Sequence, residues 1–575
     1  MYLRETKRRN ADGSVVRYFQ LAENTWDAAR GCAVAKVVYS FGRADQLDRE
    51  ALRRLASSIL RVCEDASVRA PAEDVIVRDA WPYGSVYVLE QIWRQLGIDK
   101  VLGRCAKAAG TNQPFERALF AMVANRALDP YSKLYCWEQW LREDVFLPSA
   151  GEVGLQHLYR AMDFLEENKA DVEKSVYFAM ADLMNADVDL IFYDTTSLHF
   201  EIDEEDHDPT EEATSPALRK RGYSKNGRED APQIVVGLAV TRDGLPVRSW
   251  VFPGNQADVK TVEQVKNELR GWRLGRCVFV GDAGMNSEEN RRTLSLGGGK
   301  YILAARMRAG DEVTHDVLTR PGRYHPVAGN LRVKEVIVGD GEARRRYVIC
   351  HNPVEEKRQR EHRAELLLEL KAELGSLSTK ADQATTQRGR ALLTSARFGK
   401  YLRHDGGRLH IDRAAVRQAG RYDGKWVVTS NDDTLTPEDL ALGYKQLLRV
   451  EACWRTLKSG LHMRPVFHRL AARIQAHVSI SVLALLLERI VEIRTGDTWR
   501  NVSAQLAAIK VIEYERAGAR IQQTTALRPT TAALLKTLGV EPPPPLHVVA
   551  PAPNGSTAAA TSPEAIPAAN TDPGA

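Results

Sequence analysis

The sequence predicts an α/β protein with a mixed central sheet, interrupted by a β-rich insertion and preceded by a largely helical region. The first observation is a change at Asp187, where short runs typical of buried strands replace longer helical patterns. The second is the order that follows, namely strands, a hairpin and then alternating helices and strands, which is typical of a mixed sheet. The third is that this rhythm stops after residue 305 and resumes at residue 425.

The composition is that of an ordinary globular protein. Of the 575 residues, 44% are hydrophobic and 27% are charged, so most of the chain can bury a large core. The 80 Lys and Arg residues outnumber the 75 Asp and Glu residues slightly, which allows a polyanionic partner without requiring one. The seven cysteines form no C-x-x-C pair, which argues against a zinc ribbon and fits a reducing compartment.

The sequence favours a cytoplasmic protein, associated with the nucleoid in a bacterium, and no membrane partner. The charged start MYLRETKRRN lacks the apolar run of a signal peptide. The most apolar run, VSISVLALLL at Val478–Leu487, is flanked by charged residues and is about half the roughly 20 residues that span a bilayer. We therefore expect a buried core helix there.

Before the sheet, the chain divides into residues 1–110 and a helical region at residues 111–186. The first region contains the β-like runs VRYFQLA and AVAKVVYSFG, a basic start, and a helix from Asp48 to about Val62. Helical spacing of apolar residues in the second region predicts helices over Phe115–Asp144 and Leu155–Met184.

The first part of the core, residues 187–305, is expected to hold five strands and two helices. The predicted strands are Asp187–Asp194, Gln233–Thr241, Leu245–Phe252, Cys277–Asp282 and Tyr301–Ala305. The turn Arg242-Asp243-Gly244 joins the second and third strands as a hairpin. The predicted helices are Asp258–Leu269 and one that Asn286 or Ser287 opens, with two glutamates in its first turn.

The insertion at residues 306–424 is followed by the second part of the core at residues 425–500. The strand KWVVTSND leads to a helix that Thr436 caps, with Pro437 at its first position and Asp439 in the capping-box place. This helix is expected to reach Ser459, and a second one to cover His468–Arg494. A helical C-terminal region at residues 501–540 precedes a Pro- and Ala-rich tail at residues 541–575, for which we expect disorder.

Two carboxylates end predicted strands. Asp194 closes FYD and Asp282 closes VFVGD, and active groups of open sheets collect at the carboxyl ends of strands. If the strands are neighbours, the acids converge and repel, and a divalent cation such as Mg²⁺ relieves that repulsion. The alternative is that each Asp caps the turn after its strand.

A third carboxylate, Glu451, lies on the predicted helix after Thr436. Tyr444, Leu448, Glu451, Arg455 and Lys458 share one face of that helix by their spacing. An unpaired carboxylate on a partly apolar face is costly to bury. The alternative is an ion pair between Glu451 and Arg455, four residues apart.

FYDTTSLHF, VFVGDAGMNS and YKQLLRVEACWRTLK together resemble the three catalytic blocks of DDE transposases from bacterial insertion sequences. In the last block, Tyr444, Glu451 and Lys458 match the spacing of the Tyr-Arg-Glu-Lys signature, whereas Leu447 stands at the Arg place. This departure, and the spacer from Gly222 to Asp258, are similar to the insertion-sequence-four-like superfamily. The resemblance covers about Asp187–Glu492.

The resemblance implies an RNase H-like core in which Asp194, Asp282 and Glu451 are catalytic and hold two Mg²⁺ ions, with Mn²⁺ as a substitute. Carboxylates suit such hard cations, and two metals suit phosphodiester transfer, because one activates the oxygen nucleophile and the other stabilises the leaving oxygen. The long interval between Asp282 and Glu451 then contains the β-rich insertion, as in this superfamily.

Basic residues near these acids are candidates for contact with DNA phosphates. Lys458 and Tyr444 are implied by the signature, and Arg455 lies on the same helix. A polar loop adds a further basic group, Arg219, Lys220, Arg221, Lys225 and Arg228. The alternative for this loop is a solvated charged surface. The acidic run Glu201–Glu212 is expected to be a solvated, mobile loop.

The function that follows is DNA transposition. The chain would bind the terminal inverted repeats of its element through the N-terminal region, cleave double-stranded DNA and join the 3′ ends to a target, as a homodimer in a synaptic complex. Two alternatives stay open: another metal-dependent RNase H-like nuclease, and a non-catalytic DNA-binding derivative of a transposase.

Overall fold

The computed structural model describes residues 2–9, 15–27, 31–48, 52, 54–55, 75–184, 189–208, 216–225, 227–272, 277–308, 312–377, 382–516 and 519–551. The chain divides into two compact units. One consists of Met1–Arg78, Glu513–Ile521 and Val548–Ala575, and the other of Asp79–Ile512 and Gln522–His547. Most of the predicted helix from Asp48 to about Val62 lies outside the described residues.

The described residues form eighteen strands and sixteen α-helices. The strands are β1 (Tyr2–Arg9), β2 (Val15–Asp27), β3 (Cys32–Arg43), β4 (Ile76–Pro82), β5 (Leu190–His199), β6 (Gln233–Val240), β7 (Pro246–Pro253), β8 (Val278–Gly281), β9 (Lys300–Ala305), β10 (His325–Pro326), β11 (Arg332–Val338), β12 (Arg345–His351), β13 (Leu402–Asp405), β14 (Arg408–Ile411), β15 (Lys425–Ser430), β16 (Lys510–Arg516), β17 (Ala519–Thr524) and β18 (Leu546–Pro551). The helices are α1 (Gly84–Gln95), α2 (Ile98–Ala108), α3 (Phe115–Leu128), α4 (Lys133–Tyr135), α5 (Leu155–Glu167), α6 (Lys169–Leu183), α7 (Asp258–Arg270), α8 (Glu288–Ser295), α9 (Pro353–Gly375), α10 (Gln387–Thr394), α11 (Arg413–Gly420), α12 (Pro437–Lys445), α13 (Leu448–Arg455), α14 (Ala471–Thr495), α15 (Trp499–Leu506) and α16 (Pro529–Leu538). π-Helical turns continue α4 over Cys136–Asp144 and α13 over Thr456–Gly460.

The first unit contains an antiparallel sheet in the order β1-β2-β3. Its first hairpin pairs Tyr2 with Ala22 and Arg9 with Val15, so the two β-like runs predicted near the N-terminus are strands. Most side chains of this sheet are exposed, including Trp26 and Tyr39. The division expected at residue 110 falls inside the second unit, because α1 and α2 contribute buried residues to that unit's core.

The second unit is built on a nine-stranded sheet in the order β10-β11-β12-β15-β9-β8-β5-β6-β7. β5, β8 and β9 are parallel to one another, and the other neighbours pair antiparallel. The five strands β7-β6-β5-β8-β9 therefore form a mixed sheet, in which the pairs β5-β8 and β8-β9 are parallel and the other two pairs are antiparallel. This arrangement is consistent with an RNase H-like core. The predicted α/β fold class is confirmed.

Three strands of the insertion, β10, β11 and β12, join this sheet, whereas β13 and β14 pair only with each other. β12 pairs with β15 along its whole length, from Arg346 opposite Ser430 to His351 opposite Lys425. Five of its seven residues are buried. Such burial requires a paired strand on each edge and packed side chains on both faces of the sheet. Between β12 and β15, helices α9 to α11 and the hairpin β13-β14 enclose a small core around Leu370 and Leu409.

Two other expectations are corrected by the structure. The predicted helix over Phe115–Asp144 is interrupted after Leu128, where Asp129 adopts non-helical angles and precedes Pro130. The tail expected to be disordered from Glu541 contains β18, which pairs in the order β18-β17-β16-β4. The short apolar run LHVVA accounts for this strand. The prolines on both sides of it are the reason that the sequence predicted disorder here. Residues 552–575 of the tail lie outside the described residues.

Helix α14 is a long apolar helix in the core of the second unit. It is long and apolar enough to cross a membrane, yet 89% of its most apolar window is buried within the protein. It packs against α3, α5 and β7, as expected of a core helix. The buried side chains include Glu488.

Glu488→Gln should stabilise the protein and flatten its dependence on pH. Burial first, and then the charge of Glu492, raise the pKa of Glu488 to about 8. The folded protein therefore holds a proton that the unfolded chain releases above its ordinary pKa, so stability falls as pH rises from about 4.5 to about 8. At pH 8 we expect a gain of about 1–3 kcal/mol in urea unfolding. Equal pH slopes for wild type and variant would contradict this, with exposed Glu438→Gln as the control.

Candidate active site

Asp194 lies in the middle of β5, where that strand loses one of its two partners. β5 pairs in parallel with β8 over Leu190–Phe192 and antiparallel with β6 from Phe192 to His199. The expectation that Asp194 ends its strand is therefore wrong, because pairing with β6 carries the strand five residues further. The carboxylate nevertheless stands where the parallel pairing ends.

Asp282 follows β8 directly, beside Asp194. Its Oδ1 accepts hydrogen bonds from the backbone N–H groups of Gly284 at 2.8 Å and Met285 at 3.2 Å, so it does cap the turn after its strand. Burial, with the charge of Asp282 adding to it and Lys225 opposing it, raises the pKa of Asp194 to about 6. The two carboxylates thus lie close enough to repel each other.

The ammonium of Lys225 lies among the acids. Its Nζ is 3.0 Å from Asp258 Oδ2 and 3.8 Å from Asp194 Oδ1. It also donates to the carbonyl and hydroxyl oxygens of Thr195, at 2.8 and 2.7 Å. The Thr195 hydroxyl in turn donates to Asp258 Oδ1 at 2.6 Å. Lys225 therefore supplies positive charge to a site that holds three carboxylates.

Asp258 is a member of this site that sequence reasoning missed. It is the first residue of α7, where an acid is explained by the helix dipole alone. The available signal was its place at the end of the Gly222–Asp258 spacer, beside the end of the predicted hairpin. The structure adds Asp258 and Thr195 to the predicted residues.

Glu451 does not form a metal-holding group with these acids, although its charge acts on the same Tyr444 phenol as theirs. The helix predicted from Thr436 to Ser459 is interrupted between α12 and α13, where the backbone N–H groups of Leu447 and Arg449 bond to carbonyls three residues back. The Thr436 cap and the capping box with Asp439 are present as predicted. The described residues contain no group of three acidic, His or Cys side chains arranged to hold a metal.

The residues expected to share one helix face lie on both sides of this interruption. Glu451 and Leu448 are exposed, and no ion pair joins Glu451 to Arg455 although the structure describes both. Tyr444 is the residue that connects the acids: burial, then the charges of Asp282, Glu451 and Asp194, raise the pKa of its phenol. The phenol thus stays protonated at neutral pH among the three carboxylates.

The predicted basic residues fall into two groups. Lys458 is half-buried near the acids. Burial and the charges of Arg464 and Lys225 lower its pKa, and the charge of Asp194 opposes this shift. Arg228 is more exposed and pairs with Asp230 at 3.0 Å. Arg455 is exposed.

The rest of the basic loop is neutralised by the acidic run. Arg219 pairs with Asp206, and Lys220 with Asp208 at 2.7 Å. The acidic run was expected to be a solvated, mobile loop, and its described part instead supplies counter-ions. Residues 209–212 of the run lie outside the described residues. Arg219 and Lys220 are therefore engaged within the protein.

Comparison with known families places this geometry in context. The model of the family described as "Transposase DDE domain" matches residues 199–487, just over half of the chain. The chain belongs to the DDE transposase family. A second model, "IS1634 family transposase, N-terminal domain", matches residues 3–73 of this DDE family member. The predicted resemblance to transposases of bacterial insertion sequences is confirmed.

The DDE match contains Asp282 and Glu451 and begins just after Asp194. Among solved structures, the cryo-EM structure of a piggyBac transposase synaptic complex with hairpin DNA is similar over 69% of this chain and 72% of that one, at 11% identity and a TM-score of 0.33. No curated protein matches the sequence of this DDE family member.

The DDE domain is in general dependent on a divalent metal, and part of the donor set here fits one. Asp194 and Asp282 offer hard oxygen ligands, and their repulsion in a half-buried site is what a divalent cation relieves. Lys225 provides the positive charge in this structure. Glu451 does not complete a third ligand position.

Lys225→Met should destabilise the protein in the absence of divalent metal. The substitution leaves Asp194 and Asp258 without their positive partner, which we expect to cost about 1–3 kcal/mol in urea unfolding with EDTA present. Lys357→Met is the matched control, because Lys357 is 69% exposed and makes a helical surface pair with Glu361. A loss no larger than that of the control would contradict the role given to Lys225.

Proposed function

We propose that the chain is the transposase of an insertion sequence, which cleaves DNA strands at the ends of its element and joins the 3′ ends to target DNA. The observation that carries the proposal is the pair Asp194 and Asp282, held together where β5 and β8 stop pairing, in a chain of the DDE family. Phosphodiester transfer requires hard ligands at such a position, and the protein need only position them.

In this proposal, Asp194, Asp282 and Glu451 are the catalytic carboxylates that hold Mg²⁺, with Mn²⁺ as a substitute. When bound, the metal activates the oxygen nucleophile and stabilises the leaving oxygen. Asp194 and Asp282 are already adjacent. Glu451 has to approach them for this role, from a position where its charge already acts on Tyr444. Lys225 and Thr195 hold Asp194 and Asp258 in place.

The DNA strand is proposed to pass along the basic side of these acids. Tyr444, protonated among the carboxylates, can donate a hydrogen bond to a phosphate oxygen. Lys458 and Lys225 lie near Asp194 and supply positive charge for the same strand. Arg455 and Arg228 are exposed enough to add phosphate contacts, although Arg228 has to exchange Asp230 for DNA.

Recognition of the element belongs to the N-terminal part in this proposal. The match of residues 3–73 to a transposase N-terminal domain supports binding of the terminal inverted repeats by residues 1–110. Two DNA ends must be held together for joining, so we propose a homodimer on DNA. Access to chromosomal DNA requires a cytoplasmic, nucleoid-associated protein.

Asp194→Ala, Asp282→Ala and Glu451→Ala should each abolish strand cleavage while leaving binding of element ends largely intact. The test is cleavage of DNA that carries the element's flanking inverted repeats, with Mg²⁺ and with EDTA. We expect activity in wild type with Mg²⁺, none with EDTA, and a loss of at least about 100-fold in each variant. Full cleavage by any variant would remove that residue from the site.

The same DNA-cleavage assay includes control variants and distinguishes the two alternative functions. Asp243→Ala, in an exposed hairpin turn, and Glu438→Ala, at the exposed start of α12, are matched controls that should cut normally. Cleavage without joining of 3′ ends would indicate an RNase H-like nuclease of another kind. End binding by wild type without any cleavage would indicate a non-catalytic derivative.

A further inference from the structure

A second strongly charged site lies in the same unit, away from the carboxylates. A cavity of about 730 Å³ opens between the end of α3, the start of α4, the segment from His462 to Leu470 and the start of α14. Its lining includes Arg126, Lys133, His462, Arg464, Arg469 and Arg473. Such a concentration of positive charge in one cavity requires an explanation.

Two of these cations are buried without a negative partner. Arg126 is 4% exposed and Lys133 is 5% exposed. Among the described residues, no carboxylate contributes to the electrostatics of either group, whereas Arg473 pairs with Asp163 at 2.8 Å. Burying an unpaired cation is costly, so the cavity holds positive charge that the protein itself does not neutralise.

The hydrogen bonds of Arg126 are also incomplete. Its terminal nitrogens donate to the carbonyl oxygens of His462 at 3.0 Å and Leu461 at 3.3 Å, which fixes the guanidinium at the cavity wall. Its Nε is buried and has no hydrogen-bond partner, and the same is true of Arg464 Nε. Buried donors without acceptors are rare in folded proteins, and here they lie in the wall of a cavity.

Burial and the repulsion between neighbouring cations both lower pKa values in this cavity. Burial first, and the charge of Arg126 next, lower the pKa of Lys133 to about 7. Burial, then Lys133 and Arg473, lower the pKa of His468 to about 4. An anion in the cavity would reverse both effects, because it would favour the charged forms.

The cavity adjoins a second cavity on the side of the acidic centre, and several residues line both. Arg464 also lines this second cavity of about 500 Å³, whose lining contains Lys458 and His199. His199 is the last residue of β5, the strand of Asp194, and Arg464 contacts its Nδ1 at 3.0 Å. Phe467 and Tyr131, which line the larger cavity, are 71% and 56% exposed, and exposed aromatic rings suit base stacking.

We propose that the cavity around Arg126 and Lys133 is a phosphate-binding site that holds a backbone phosphate of the DNA strand leaving the acidic centre. The assignment of the phosphate to DNA rests on the proposed function, whereas the binding of a phosphate group does not. The two possible sources, a DNA strand and free phosphate, share the same chemistry. They are distinguished by experiment.

The first experiment compares Lys133→Met with wild type in thermal unfolding, with inorganic phosphate against chloride at equal ionic strength. Without phosphate, the variant should be at least as stable as wild type, because it loses a buried unpaired charge. Phosphate should raise the Tm of wild type by about 2 °C or more and leave the variant unchanged. Lys371→Met, at an exposed position of α9, is the control and should respond as wild type. Equal shifts in wild type and Lys133→Met, or no shift in wild type, would overturn the proposal.

The second experiment measures the affinity of labelled single-stranded and duplex oligonucleotides by anisotropy over a range of salt, with EDTA present. Lys133→Met should weaken binding and lower the slope of log K against log salt by about one unit. Phosphate binding with unchanged DNA affinity would overturn the DNA assignment and leave free phosphate as the ligand. Neither readout requires cleavage, so a failure of the proposed transposase activity would be scored separately.

Discussion

The repulsion between Asp194 and Asp282 is the constraint around which the second unit is organised. Both carboxylates are carried to one point by the parallel pairing of β5 with β8, and the surrounding core limits their access to water. Two like charges in such a place require positive charge nearby. The ammonium of Lys225, which the Thr195 carbonyl and hydroxyl fix in position, supplies it in this structure.

Basic residues elsewhere in the second unit are either paired with acids or buried without an acidic partner. The loop residues Arg219 and Lys220 each form an ion pair with an acid from the run that follows β5, so their charge is neutralised within the protein. Arg126 and Lys133 are buried and unmatched. This contrast distinguishes charge that stabilises the fold from charge that is kept for a ligand, and it cannot be read from the number of basic residues.

The sequence predicted the sheet well because its strands carry short apolar runs with polar ends, and the capping box at Thr436 has a specific spacing. It did not predict the break after α12, because Gln446, Leu447 and Leu448 are good helix formers and only the hydrogen bonds reveal the change. It predicted that Asp194 and Asp282 converge if their strands are neighbours, and β5 and β8 are neighbours. Asp258 carried only a weak signal, its place at the end of the Gly222–Asp258 spacer, and Lys133 carried none, since their roles depend on residues distant in sequence.

The pairing of β15 with both β9 and β12 has a consequence for how the chain folds. β9 and β15 lie side by side, yet roughly 120 residues separate them, so their contact closes a long loop. During synthesis, the edge of β9 stays open until the whole intervening segment has left the ribosome, and open edges invite pairing with other chains. Completion of the sheet therefore waits for β15, and the contact it makes with β9 is a slow, long-range one.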